Sequence, residues 1–180
     1  MSVALGFDSS VLSAFARARR LDALEMLTDG HRRVVTRAVL GELDKGVPVY
    51  GRLADVRSQQ WLEIVTVDSL QELIVFSDYV RVLGSDGRNV GEASILAWAE
   101  VCGGVAIMDD HAAVSAAKSR NVAVRRSLGL LCNGLHKKTL TMEKARSLVD
   151  DLASFGGARF PCVGAGFEAW AENNGLLAMA

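Results

Sequence analysis

Short apolar runs alternate along this chain with longer segments that have the periodicity of amphipathic helices. The runs are rich in Val and Ile and contain few polar positions, which is typical of strands buried on both faces of a parallel sheet. Strands connected through helices predict an α/β fold, with a parallel β-sheet sandwiched by helices. The predicted strands are residues 3–7, 34–36, 62–67, 105–108 and 122–125.

Helical patterns fill the segments between these strands and continue after the last of them. We predict an α/β domain over residues 1–140 and a C-terminal helical extension over residues 141–180. The extension could pack on the domain, exchange with another subunit or bind a partner, and the sequence leaves these three possibilities open. The predicted helices are residues 11–20, 21–27, 38–45, 53–61, 70–83, 91–101, 110–119, 128–135, 141–155 and 167–173.

Composition excludes several classes of protein. Half of the 180 residues are apolar, which is enough for one domain with a sizeable core. The net charge of −1 argues against a wholly basic nucleic-acid coat protein and a strongly acidic tail. No apolar run approaches the roughly 18 residues of a membrane-spanning helix, so no membrane association is expected. Three dispersed cysteines do not suggest a disulfide framework, and we expect a reducing cytoplasm.

Acidic residues stand at positions where structure alone does not demand them. Asp8 follows the first predicted strand, and Asp109 and Asp110 follow the fourth. The carboxyl ends of strands are where open parallel sheets bind ligands, although a single aspartate there commonly only caps a helix. Glu42 and Glu92 lie on the apolar faces of their predicted helices. These carboxylates are therefore predicted to meet in one partly buried pocket.

Buried carboxylates are costly unless something compensates their charge, and the residues allow three compensations. Arg37, Arg88 or an arginine from further along the chain could reach inward. Clustered carboxylates could instead hold protons, because like charges raise one another's pKa. The third possibility is a hard divalent cation. Since His and Cys do not occupy matching positions, that cation would be Mg²⁺ or Mn²⁺ rather than Zn²⁺.

Positive charge is concentrated in residues 111–142, which contain six basic residues and no acidic one. Such a tract can be an ordinary solvated surface, or a surface that contacts phosphates beside an acidic site. The six residues are Lys118, Arg120, Arg125, Arg126, Lys137 and Lys138.

Four acidic motifs follow one another along the chain: FDSSVL at 7–12, VLGEL at 39–43, GEASILA at 91–97 and IMDD at 107–110. An SLGLL segment follows at 127–131. In this order, the motifs resemble those of the PIN-domain ribonucleases, including the toxins of VapBC-type toxin–antitoxin pairs. The resemblance covers roughly residues 3–135. Two positions depart from it: Met108 stands where the family often has Thr or Ser, and Glu92 where many members have Asp.

The resemblance implies a metal-dependent endoribonuclease with a PIN-like fold. Asp8, Glu42 and Glu92, together with Asp109 or Asp110, would hold one or two Mg²⁺ or Mn²⁺ ions. Asp110 is favoured over its neighbour as the catalytic residue. The activated water would hydrolyse an RNA phosphodiester bond without a covalent enzyme intermediate.

The resemblance also suggests how RNA and proteins would bind. Lys118, Arg120, Arg125 and Arg126 are the predicted RNA-binding residues, and they would contact phosphates flanking the cleaved bond. Single-stranded or loop RNA is the expected substrate, because a recessed site does not reach into a duplex. A small antitoxin protein and a second copy of the chain in a homodimer are the further partners that the resemblance implies.

Two other functions compete with this hypothesis. A catalytically inactive PIN-like module that binds RNA or protein is favoured by Met108, which lacks the hydroxyl that the family often has there. An unrelated phosphotransfer domain built on Asp8 would be expected to have a second acid two residues later, where Ser10 stands.

Overall fold

The computed structural model of the protein describes residues 3–84 and 89–177. Within these ranges, the strands are β1 (Leu5–Phe7), β2 (Arg33–Thr36), β3 (Glu63–Val65), β4 (Val105–Ile107) and β5 (Ala123–Arg125). These five strands form one parallel sheet in the order β3-β2-β1-β4-β5. This confirms the predicted α/β fold. Each predicted strand is present; four are shorter than predicted, and the second begins one residue earlier, at Arg33. The sequence also predicts a loop over residues 84–89, and most of it, residues 85–88, lies outside the described residues.

The α-helices follow the predicted order closely, because their apolar stripes and capping residues are strong local signals. Thr141, for example, accepts a hydrogen bond from the Lys144 N–H at the start of its helix. No helix in the described ranges combines the length and apolar character needed to cross a membrane. The helices are α1 (Ser9–Arg17), α2 (Leu21–Leu27), α3 (Arg37–Gly46), α4 (Leu70–Leu83), α5 (Val90–Cys102), α6 (His111–Ser119), α7 (Ser127–His136), α8 (Met142–Ser154) and α9 (Phe167–Asn173).

The short helix predicted over residues 53–61 is present, but it begins and ends earlier and is not an α-helix. The structure has a 3₁₀ helix at Gly51–Ser58. Its two buried residues, Leu53 and Val56, are three positions apart. A 3₁₀ helix has three residues per turn, so this spacing places both side chains on one line facing the core.

Both faces of the central strand are covered. Successive side chains of a strand point to opposite faces, and all three residues of β1 are buried. The outer strands β3 and β5, in contrast, have exposed residues. Chain order reverses at β1, with β2 and β3 on one side and β4 and β5 on the other. Such a reversal opens a crevice at the carboxyl ends of the strands.

Helix α5 packs against the centre of the sheet, where it contacts β1, β2 and β4. Close approach is possible because Gly6 of β1 has no side chain. A Cβ at Gly6 would lie 2.7 Å from Cζ3 of Trp98 on α5. The indole ring is buried, so it fixes the distance between helix and sheet.

The C-terminal extension packs on the domain, which is one of the three possibilities that the sequence leaves open. Phe167 and Ala171 of α9 join α8 in a second apolar cluster, which also includes Leu27 of α2 and Leu128 of α7. Arg20, next to α2, forms an ion pair with Asp151 of α8 at 2.6 Å. The extension and the domain therefore share a core.

Candidate active site

The carboxyl ends of β1 and β4 bring three aspartates to the crevice where strand order reverses. Phe7 of β1 pairs with Ile107 of β4. The next residue, Asp8, donates its backbone N–H to the Ile107 carbonyl at 3.0 Å. Asp109 and Asp110 follow shortly after β4. The first and fourth acidic motifs are therefore brought to one edge of the sheet.

Asp8 is fully buried and caps the N-terminus of α1. Its Oδ2 accepts hydrogen bonds from the N–H of Ser10 at 3.0 Å and from the Ser10 hydroxyl at 2.5 Å. Its Oδ1 is buried without a hydrogen-bond partner. Burial raises the pKa of this carboxyl more than these hydrogen bonds lower it.

Glu42 connects three helices. It projects from α3 and accepts a hydrogen bond from the Ser9 hydroxyl of α1 at 2.8 Å. The backbone N–H of Gly91, in the first turn of α5, donates to the other carboxylate oxygen at 2.6 Å. A Cβ at Gly91 would overlap the Glu42 carboxylate. The glycine of the GEASILA motif is therefore the residue that admits Glu42 to the site.

Glu92 lies next to this contact and is partly buried. Its Oε2 is buried without a hydrogen-bond partner. The pKa of Glu92 is raised to about 7, mainly by burial and then by the negative charges of Asp8, Glu42 and Asp110. Each of the four acidic motifs therefore contributes a carboxylate to one cluster, and the negative charges of this acidic cluster repel one another.

Asp109 and Asp110 are adjacent in sequence but have different surroundings. Asp110 caps α6 through a 2.9 Å hydrogen bond from the Ala113 N–H, and its charge acts on Glu92. Asp109 accepts hydrogen bonds from the Ser127 N–H at 2.9 Å and from the Ser127 hydroxyl at 2.6 Å. Asp110 thus belongs to the acidic cluster, whereas Asp109 is tied to the start of α7.

The surroundings of the cluster bear on how its charge is compensated. In the described part of the chain, no arginine forms an ion pair with any of these five carboxylates, and Arg88 lies outside that part. Residues 3–84 and 89–177 also contain no group of three His, Cys, Asp or Glu side chains already arranged to hold a metal ion. The cluster offers buried carboxylate oxygens without donors, which fits a hard divalent cation. It is a set of mutually repelling neighbours rather than a closed coordination shell.

Replacing Glu92 by Gln is expected to stabilise the metal-free protein above neutral pH. The folded-state pKa of about 7 is above the ordinary value of 4.5. The wild type therefore loses stability as the pH rises between these values and the buried group becomes charged. In EDTA at about pH 8, E92Q should be more stable by on the order of 1–2 kcal/mol, allowing for the partial exposure of the side chain, and the gain should vanish at about pH 4.

Urea unfolding at the two pH values measures this difference. Glu143→Gln is the matched control, because Glu143 is an exposed carboxylate in the first turn of α8 and should show no such gain. Equal stability of E92Q and wild type at the higher pH would contradict the proposed crowding of charge.

The predicted basic tract separates into distant parts of the fold. Arg125 ends β5 and Arg126 precedes α7, so both lie at the edge of the sheet that carries the acidic cluster. Lys118 lies in the last turn of α6. That helix starts beside Asp110 and is about 13 Å long at 1.5 Å per residue. The structure therefore brings Arg125 and Arg126, but not Lys118, close to the carboxylates.

Arg120 has structural partners of its own. Its guanidinium donates to both oxygens of Glu100, at 2.8 and 2.7 Å, and lies over the ring of Tyr79. Its Nη1 also lies 3.6 Å from Oδ2 of Asp78. An RNA contact at Arg120 stays a prediction, and it would have to compete with these interactions.

The sequence does not predict three of the contacts that shape the site. Ser9 belongs to the FDSSVL motif and the sequence assigns it no contact, yet its hydroxyl donates a hydrogen bond to Glu42. The backbone of Gly91 and the side chain of Ser127 are likewise unassigned. Ser127 does precede an apolar helical pattern, which is a signal for a helix start but not for the carboxylate that it binds.

Comparison with known proteins agrees with this arrangement. The model of the family DUF3368, described as a PIN domain, matches residues 5–161. The chain therefore belongs to the PIN-domain family, whose members are generally nucleases that use divalent metals. A search of the curated proteins finds no match to this chain. The family match continues through α8, so the division of the chain at residue 140 stays a prediction.

Proposed function

We propose that this PIN-domain protein is a Mg²⁺- or Mn²⁺-dependent endoribonuclease that hydrolyses RNA phosphodiester bonds. The observation that carries the proposal is the presence of two buried carboxylate oxygens without hydrogen-bond partners, Asp8 Oδ1 and Glu92 Oε2. A buried anionic oxygen without a donor is costly, and these two belong to carboxylates that repel each other. A divalent cation with a preference for oxygen ligands would remove both costs.

Asp8, Glu42, Glu92 and Asp110 are the residues that would hold the cation. When bound, it supplies positive charge against the phosphate and activates the attacking water. Asp109 is also predicted from the sequence as a possible ligand. We assign it a positioning role instead, because Ser127 ties it to the start of α7, whereas it is the charge of Asp110 that acts on Glu92 in the cluster.

The residues around the carboxylates position them. Ser10 occupies Oδ2 of Asp8, so Oδ1 is the oxygen that remains for a ligand. Ser9 and Gly91 each donate to one oxygen of Glu42, which holds its carboxylate between α1 and α5. These donors act before any substrate arrives, so the site needs little rearrangement of Asp8 and Glu42.

A single-stranded RNA substrate is favoured by the recessed position of Asp8, which has no exposed surface. Arg125 and Arg126 lie at the same edge of the sheet and would bind flanking phosphates. Lys118 and Arg120 would contact only a longer strand, because they lie at the other end of α6.

We also propose that the protein acts in the cytoplasm as the toxin of a type II toxin–antitoxin pair. The VapC-like form of its motifs supports this role, and a small antitoxin and a homodimer are the corresponding partners. Expression of the chain alone should arrest growth, and coexpression of a small protein from a neighbouring reading frame should relieve the arrest. Growth that is unaffected by expression of an active nuclease would contradict the toxin role.

The experiment that tests the nuclease proposal is incubation of the protein with structured and unstructured RNAs in Mg²⁺, in Mn²⁺ and in EDTA. Defined fragments are expected from the unstructured RNAs with either metal, and none in EDTA. RNA that is bound but remains intact in both metals would overturn the proposal in favour of the inactive PIN-like module. Cleavage that persists in EDTA would overturn the metal dependence.

A further inference from the structure

A cavity of about 480 Å³ lies between the start of α7 and the C-terminal extension. Arg125 and Arg126 line it from the domain side, and Arg159, Phe160 and Trp170 line it from the extension. The acidic cluster does not include any of these side chains. The cavity is therefore a second candidate site, built jointly by the two parts of the chain.

The cavity carries excess positive charge. Its three arginines form no ion pair with any residue in the described ranges. The one acidic residue in its lining, Asp109, has both oxygens hydrogen-bonded to Ser127. Three guanidinium groups around a cavity without a saturating carboxylate favour an anionic ligand, and phosphate oxygens suit the planar guanidinium.

Aromatic surface accompanies this charge. Trp170 is partly exposed and packs on Phe167 with the two rings 6.2 Å apart and inclined by 21°. Phe160 and Pro161 add apolar surface beside it, and Val124, Leu128 and Leu176 supply the rest of the apolar lining. Proteins that bind single-stranded nucleic acid combine these two features: an aromatic ring stacks on a base, and cationic groups next to it bind the phosphate.

The cavity adjoins the acidic cluster. Asp109 lines the cavity, and the next residue, Asp110, acts on Glu92 in the cluster. The Cα atoms of consecutive residues are about 3.8 Å apart, so one peptide unit separates the two sites along the backbone. An RNA strand with one phosphodiester bond at the acidic cluster would thus place a neighbouring nucleotide within reach of Arg125, Arg126 and Arg159.

We propose that this cavity binds one nucleotide of a single-stranded RNA substrate, next to the bond that is cleaved. The phosphate lies on Arg125, Arg126 and Arg159, and the base stacks on Trp170. This inference rests on the proposed ribonuclease function, and it gives the C-terminal extension a part in holding substrate. Arg159, Phe160 and Trp170 are thereby assigned to RNA binding together with Arg125 and Arg126.

The test measures how tightly the full chain binds a fluorescein-labelled single-stranded RNA of about ten nucleotides in EDTA. Fluorescence anisotropy reports the binding, and the dissociation constant is measured at a series of salt concentrations. The double variant R125A/R126A and the variant R159A should each weaken binding about tenfold at low salt, and each lost phosphate contact should lower the slope of log Kd against log salt by about 0.7. Arg81→Ala is the matched control, because Arg81 is an exposed arginine on α4.

Trp170 separates stacking from charge. Trp170→Leu should weaken binding about tenfold with an unchanged salt slope, whereas Trp170→Phe should bind nearly as the wild type does. Thermal melting shows whether each variant is folded. RNA should also quench the tryptophan fluorescence of the wild type and not that of Trp170→Leu.

The outcomes distinguish this inference from the proposed function. If the wild type cleaves RNA with metal and the arginine and Trp170 variants bind RNA as it does, the cavity proposal is overturned and the nuclease proposal stands. If the wild type never cleaves RNA but the variants lose binding, the cavity binds nucleotides and the hydrolysis is overturned. Absence of any oligonucleotide binding at low salt would overturn the cavity proposal and leave its arginines to a protein partner.

Discussion

Replacing Asp8 by Asn should lower the rate of RNA cleavage by on the order of 10³-fold and leave the protein folded. A metal ion contributes several kcal/mol to stabilising the charge of such a transition state, and each 1.4 kcal/mol corresponds to about a factor of ten. Asn keeps the shape of the side chain and an oxygen that can accept the cap hydrogen bond of Ser10. It removes the negative charge, which is what a cation requires. The rate is measured on single-stranded RNA with saturating Mn²⁺.

The same variant separates a role in catalysis from a role in folding. Burial already raises the pKa of Asp8, so loss of its charge should leave the melting temperature in EDTA unchanged or higher. Asp29→Asn, at an exposed position after α2, is the control and should cleave RNA as the wild type does. Full activity of D8N would refute the ligand role, and so would a loss of activity explained by unfolding.

Replacing Phe167 by Ala should lower the free energy of unfolding by about 3–5 kcal/mol, the range expected for a fully buried phenylalanine. Phe167 has no exposed surface and lies in the cluster that α9 shares with α2 and α7. The loss should therefore affect the whole chain and not only the extension. Urea unfolding monitored by far-UV circular dichroism measures it.

Phe155→Ala provides the matched control within the same extension. Its side chain is 64% exposed, so the free energy of unfolding should change by no more than about 0.5 kcal/mol. A single cooperative transition, shifted strongly for F167A and little for F155A, is the expected pattern. Two separate transitions would show that the extension unfolds as an independent unit, contrary to the shared core.

The strands and most helices could be predicted from the sequence because their signals are local. Residues 5–7 read as a buried strand since every position is apolar or Gly, and Asp8 then follows as a helix cap. The type of the helix at Gly51–Ser58 could not be predicted, because one pair of apolar residues three positions apart fits both an α-helix and a 3₁₀ helix.

The acidic cluster could be predicted in outline, but its internal geometry could not. Strand ends and helix faces indicate which carboxylates meet, as they do for Asp8 and Glu92. They do not distinguish Asp109 from Asp110, because that choice depends on Ser127, which is distant in sequence. The ion pair between Arg120 and Glu100 is equally nonlocal, and a run of basic residues along the chain does not reveal it.

The close contact between Gly6 and Trp98 links packing to chemistry. Trp98 lies on the helix that also carries Glu92, and the ring meets the strand that precedes Asp8. Any side chain at position 6 would move the helix outward and widen the gap between the two carboxylates. A glycine within a strand is an obvious position for a stabilising substitution, but a larger residue at position 6 would thus disturb the spacing of the acidic cluster.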